Sequence, residues 1–135
     1  NQLNSQLKTV ATFQCNILQI VSVKKGETIG YGREGSLPHD GKIATLSVGY
    51  GDGYLRIFGN GNAEVLINKK RAQTVGIVCM DLVMVDVTNI DCEPGDVVEL
   101  FSANINIEEL AKRGGTIPYE ILTNISSRVE RVMVD

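Results

Sequence analysis

The sequence predicts a mainly β fold, a barrel or sandwich of short strands with little helix. Three observations predict it. Val, Ile and Thr supply 36 of the 135 residues and Ala only six; β-branched side chains suit a pleated surface and lose rotamer freedom in a helix. Apolar runs are short, and clusters of Gly, Pro, Asn and Asp interrupt them repeatedly. A strong helix start occurs once, late in the chain. The length suits one domain spanning residues 1–135, which buries roughly two-thirds of its unfolded surface on folding.

The elements follow in order. Cys15 to Val23 is an apolar-rich strand ended by Lys24-Lys25-Gly26-Glu27. Gly30 to Gly41 is a loop rich in Gly, Pro, His and Asp, and Ile43 to Val48 is a strand with partial alternation. Gly49-Tyr50-Gly51-Asp52-Gly53 and Asn60-Gly61-Asn62 are turns; Glu64 to Ile67 is a short strand leading into a hairpin tip at Asn68-Lys69-Lys70. Thr74 to Val87 is the most apolar stretch, too rich in Val for a helix, and reads as two strand segments with Met80-Asp81 between or within them. Glu93-Pro94-Gly95-Asp96 is a turn and Val97 to Phe101 a strand. Asn106, followed three residues later by Glu109, has the form of a capping box; it opens a helix through Arg113 that Gly114-Gly115 stops. Thr116 as a cap and Pro118 in a first turn predict a second short helix to about Asn124. Arg128 to Val134 closes the chain as a strand.

Composition excludes several function classes. The net charge is −3, and Lys69-Lys70-Arg71 is the one basic triplet, so no basic face for nucleic acid is evident. No apolar run approaches the ~18 residues of a membrane helix. Cys15, Cys79 and Cys92 form no CxxC pair, which argues against a zinc site and for buried, reduced thiols. The first residues have neither Met nor a secretory pattern and read like a cut inside a longer protein.

Single motifs are weak. Gly30-Tyr31-Gly32-Arg33-Glu34-Gly35 matches GxGxxG, but Ser36-Leu37-Pro38-His39 cannot open the helix that a dinucleotide site needs. His39, the one histidine, reads as a solvated loop residue, and Asp81 and Asp86 read as structural carboxylates. Tyr31 and Tyr50 each follow a strand within Gly-Tyr-Gly, so flexible backbone displays each phenol; by themselves they read as turn tyrosines. A phenol serves as a base only where nearby positive charge lowers its pKa, and Arg56 is the closest cation in sequence to Tyr50.

In combination the segments are specific. Lys25-Gly26-Glu27 leads to Gly30-Tyr31-Gly32, then Val48-Gly49-Tyr50-Gly51-Asp52-Gly53-Tyr54-Leu55-Arg56, then Val75-Gly76-Ile77-Val78-Cys79-Met80-Asp81 and Gly95-Asp96-Val97-Val98. The chain ends with Gly115-Thr116-Ile117-Pro118-Tyr119-Glu120-Ile121-Leu122 and Arg128-Val129-Glu130-Arg131. Over nearly its whole length the chain resembles the C-terminal domain of the pyridoxal-phosphate-dependent alanine racemases.

The resemblance implies a β-barrel with one or two short helices. It implies a cytoplasmic bacterial enzyme that makes D-alanine for peptidoglycan, with upstream membrane tethering left open. It implies a head-to-tail homodimer in which a separate N-terminal (β/α)8 barrel, absent here, holds pyridoxal phosphate on a lysine. The C-terminal domain then closes over the partner's active site, and alone it would be inactive. By position, Tyr31 matches the catalytic tyrosine, the base facing the L-amino acid, opposite the cofactor lysine. Tyr50 and Met80 match substrate-site residues, the latter through its backbone amide on the substrate carboxylate, and Asp81 follows it. Tyr119 matches a tyrosine near the cofactor phosphate, and Arg56 an arginine of the substrate access channel. Two positions depart from the pattern: Gly30 stands where Ser is frequent, and Ile77 where an Arg commonly lies three residues before the Met. A serine racemase of the glycopeptide-resistance type resembles the same family, but typically has Asn where this chain has Tyr119. A stand-alone β dimerisation or binding module is the third alternative.

Overall fold

The computed structural model describes residues 12–29 and 35–125. Among them are β1 (Phe13–Val23), β2 (Gly41–Leu46), β3 (Glu64–Ile67), β4 (Lys70–Val75), β5 (Val83–Asp86) and β6 (Val97–Phe101). Two α-helices follow, α1 (Ile107–Arg113) and α2 (Pro118–Thr123), and single 3-10 turns lie at Tyr50–Asp52 and Arg56–Phe58. The strands close into an antiparallel barrel in the order β1-β2-β5-β4-β3-β6. Closure removes the exposed strand edges that such short strands would otherwise present.

Alternation builds the interior. Val65 and Ile67 of β3, Val83 and Val85 of β5, and Val98 and Leu100 of β6 all point inward and are buried. Phe13, Cys15 and Ile17 do the same on β1 until an irregularity between Ile17 and Gln19 shifts its register on β2. Ile107, Leu110 and Ala111 of α1 and Ile121 of α2 join that core. A second small cluster of Val23, Ile29, Leu37, Ile43 and Val75 packs separately. Ile43 and its neighbour Ala44 fall in different clusters, as the two faces of a strand require.

Local signals explain most boundaries. Asn68 and Lys69 both have positive φ, forming the two-residue tip between β3 and β4. Asn106 caps α1 by accepting from the Glu108 N–H at 2.7 Å. Glu109 does not complete a capping box; it reaches Arg71 on β4 at 2.8 Å. Arg71, Arg113, Glu64 and Glu109 form one network. Arg71 holds the Glu109 carboxyl below its ordinary pKa, support that is lost as pH falls through the carboxylate range. These side chains are about a third exposed, so each pair is worth at most about 1 kcal/mol.

Other sequence expectations need correction. β1 starts two residues before Cys15. β2 runs Gly41–Leu46 rather than Ile43 to Val48: Gly41 and Lys42 already pair with Val23 and Ser22 of β1, and the ladder to β5 ends at Leu46 opposite Val83. The first strand within 74–87 belongs to a longer β4 starting at Lys70; Met80-Asp81 lies between the two strands, as expected, in a turn closed by Cys79 N–H to the Leu82 carbonyl at 2.9 Å. Ile117, not Thr116, is the N-cap of α2. Of the cysteines, Cys15 is buried, while Cys79 and Cys92 are only partly so; all three are free. The strand expected at Arg128 to Val134 lies outside the described residues.

Candidate functional site

The Gly49–Tyr54 turn meets the Cys79-Met80 turn, and backbone hydrogen bonds lock the two together. The Gly49–Tyr54 turn closes on Gly49. Its N–H donates to the Asp52 carboxylate at 3.0 Å, and its carbonyl accepts from the N–H groups of Asp52 (3.0 Å) and Tyr54 (3.2 Å). The next two N–H groups point outward. Tyr50 donates to the Cys79 carbonyl and Gly51 to the Met80 carbonyl, each at 2.9 Å. Gly49 is required here: a Cβ would lie 2.5 Å from the Met80 carbonyl carbon and oxygen, and closer still to the Cys79 oxygen. Gly53, with φ +106°, presses on the end of α2, where a Cβ would lie 2.5 Å from the Asn124 oxygen.

This lock places Tyr50 beside Met80 and aims a peptide. The Tyr50 N–H holds the Cys79 carbonyl, and the described peptides are all trans. The Met80 N–H, on the same peptide, therefore aims the opposite way. A hydrogen bond on one end of a peptide polarises the donor at its other end.

Several large side chains of the lock and of α2 are well exposed. Tyr50 is 46% exposed, Met80 51% and Tyr119 63%. Ile57, Leu82 and Ile117 are exposed too. The Arg56 guanidinium lies over the Tyr50 ring at 5.8 Å from its centroid, a cation–π contact that steers the ring. Asp81 is exposed in the turn beside Met80. Tyr119 sits on the first turn of α2, whose far end meets Gly53. The structure thus brings Tyr50, Arg56 and Met80 together; Tyr31, with Gly30, lies outside the described residues.

Tyr54, four residues after Tyr50, behaves differently. It is 1% exposed, its ring packs tilted against Phe58 with centroids 5.1 Å apart, and its hydroxyl has no hydrogen-bond partner among the described residues. Burial pushes its phenol far above the ordinary tyrosine range. Burial, and then the Asp52 charge, push the Cys15 thiol up to about 12. Neither group can serve as a base near neutral pH. The sequence signal separating the two tyrosines is the flanking residue: Gly51 follows Tyr50, and Leu55 follows Tyr54.

Elsewhere, His39 is exposed but has Nε2 3.8 Å from Asp86 Oδ2, a contact absent from the sequence reading. Asp86 is engaged locally, accepting from the Thr88 N–H at 3.0 Å. Among the described residues no three His, Cys, Asp or Glu side chains group as metal ligands, and no helix is long and apolar enough to cross a membrane.

Known proteins resemble this one throughout. The family described as "Alanine racemase, C-terminal domain" matches residues 10–133. The alanine racemase of Methylacidiphilum infernorum is 43% identical over 130 residues, covering 93% of this chain and 33% of that protein. Among solved structures, alanine racemase from Acinetobacter baumannii is 38% identical with a TM-score of 0.82, over 87% of this chain and 33% of that one. Alanine racemase from Bartonella henselae with covalently bound pyridoxal phosphate is 33% identical with a TM-score of 0.84, over 91% and 34%. The chain spans about a third of the length of these relatives. A closed six-stranded barrel with two short helices, carrying the Gly-Tyr-Gly-Asp-Gly-Tyr turn locked onto Cys79-Met80, and this match over residues 10–133, place the chain in the family of alanine racemase C-terminal domains.

Proposed function

We infer that this domain supplies one wall of the active site of an alanine racemase that interconverts L- and D-alanine in the bacterial cytoplasm for peptidoglycan synthesis. The observation that carries the reading is the pair of 2.9 Å hydrogen bonds joining the Tyr50 turn to Cys79-Met80, with both side chains displayed outward. Racemisation removes the α-proton on one face of the substrate and returns it on the other, so two bases are needed across the plane. Tyr31 takes the L-face role, in the active site of the partner subunit of a head-to-tail homodimer. Tyr50 and the Met80 amide, with Asp81 beside them, orient the substrate carboxylate, and Arg56 lines the approach. The outward apolar and aromatic side chains exclude water once the wall is covered.

The residues fit pyridoxal phosphate in a limited way. Tyr119 offers one exposed phenol to a phosphate, whereas residues 49–58, 79–82 and 118–123 contain no lysine. The family resemblance assigns covalent attachment and most phosphate contacts to an N-terminal domain. When bound, the cofactor draws off the electron pair left by the departing α-proton.

The test is D-product formation from L-alanine and L-serine, side by side, by the full-length protein with pyridoxal phosphate. Alanine is expected to be the better substrate, and Tyr31→Phe to lower turnover by roughly 10²–10⁴-fold while still binding cofactor. Near-normal racemisation by Tyr31→Phe would remove its assigned role. Serine turnover equal to alanine's would show that Tyr119 does not set specificity, and no racemisation at all would leave a binding module.

A further inference from the structure

We propose that Asp52 is a positioning residue for the substrate carboxylate: it sets the distance between Tyr50 and Met80 by holding the Gly49 N–H. The inference rests on the racemase reading and deepens it.

Gly49 is the pivot of the lock. Its N–H meets one acceptor, the Asp52 carboxylate at 3.0 Å, and Asp52 also returns its own N–H to the Gly49 carbonyl at 3.0 Å. The Gly49 carbonyl and the Tyr50 N–H belong to one peptide. The Asp52 carboxylate holds the peptide before Gly49 and the Asp52 N–H the peptide after it; with both flanking peptides held, the turn aims the Tyr50 N–H at the Cys79 carbonyl, 2.9 Å away. The Cys79 carbonyl in turn shares a peptide with the Met80 N–H. Asp52 thus sits at the head of a chain of two peptides that ends at the proposed carboxylate contact. Gly53, beside it, seats the same turn against Asn124 and Ile125, so a displaced Asp52 would also loosen the turn from the end of α2. A charged acceptor on a backbone N–H is among the stronger local hydrogen bonds, and Asp52 is only half-buried, so its charge costs little desolvation.

The experiment uses the full-length holoenzyme with Asp52→Ala and Asp52→Asn. Asn keeps an oxygen for the Gly49 N–H; Ala does not. Asp52→Ala is expected to raise KM for L-alanine about tenfold with a much smaller change in kcat, the mark of lost ground-state and transition-state binding alike. Asp52→Asn is expected to restore most of the wild-type KM. Hydrogen exchange gives a second readout: the Tyr50 and Gly51 amides should exchange about tenfold faster in Asp52→Ala and near the wild-type rate in Asp52→Asn.

Wild-type KM and exchange in both variants overturn the proposal. Equal losses in both also overturn it, because charge rather than the Gly49 acceptor would then matter. If Asp52→Ala does not fold, the Asn variant decides: wild-type KM and exchange support the role, and their loss refutes it. A wild-type protein that does not racemise alanine counts against the racemase reading, and the exchange data still decide what Asp52 does.

Discussion

Gly49→Val in the full-length protein is expected to cut kcat/KM by at least about 100-fold and to destabilise this domain by about 3–5 kcal/mol. The side chain has nowhere to go, because its Cβ would strike the Cys79 and Met80 carbonyl groups, which are main chain and cannot rotate aside. The two segments must separate, and separation breaks the Tyr50-to-Cys79 and Gly51-to-Met80 hydrogen bonds together. An orphaned backbone group costs about 1–3 kcal/mol, and overpacking adds a similar amount. Displacing Tyr50 from Met80 by even about 1 Å is enough to account for the loss of rate. Steady-state kinetics and thermal unfolding check the two parts separately. Wild-type behaviour in both would mean that the lock is not a feature of the working protein.

The second large effect is loss of stability in alkali. Cys15 is buried, and its thiol is pushed up to about 12 from an ordinary 9.0, first by desolvation and then by the Asp52 charge. A group whose folded pKa is raised adds stability that is fully present below the unfolded pKa. That stability drains away as pH climbs from 9 toward 12, since the unfolded thiol ionises and the folded one does not. At about 1.4 kcal/mol per unit, the loss by pH 11 is roughly 3 kcal/mol. Tyr54, buried against the same core and raised in the same direction, adds to the decline above its ordinary value of 10.0. Urea unfolding of the domain at pH 8 and pH 11 measures this. Cys15→Val keeps the volume and removes the titration, so its stability should fall distinctly less; parallel curves for the two proteins would contradict the assignment.

Much of this was legible in the sequence, for identifiable reasons. Glu64–Ile67 and Val97–Phe101 match their predicted bounds because turn residues fence each one at both ends. The hairpin tip expected at Asn68-Lys69-Lys70 is right for Asn68 and Lys69, polar residues at positive φ between two runs, while Lys70 already pairs with Ile67 in β4. β4 was underestimated: Lys70, Arg71 and Gln73 face outward, so half the strand is polar and only Ala72, Thr74 and Val75 are buried. The capping box failed because Glu109 answers to Arg71, a partner 38 residues away that no local pattern reveals. The turn carrying Tyr50 was evident from its glycines, and its company with Met80 came only through family resemblance. Asp52 as the cap of Gly49 was not foreseen, since an Asp in a glycine-rich turn has several common uses. Tyr31, the centre of the mechanistic reading, falls outside the described residues, so its assignment stands on the sequence resemblance.

Complementation tests most directly whether this domain completes an active site across the dimer. One full-length variant carries Tyr31→Phe; a second keeps Tyr31 but lacks the lysine proposed to hold the cofactor in an N-terminal domain. Each alone is expected to be nearly inactive. In a mixed dimer, one of the two sites pairs an intact lysine with an intact tyrosine from the other subunit. Random exchange between equal amounts is therefore predicted to restore about a quarter of wild-type activity. No recovery, with mixed dimers demonstrated by mass, would contradict the account and place the tyrosine's work, if any, within its own subunit.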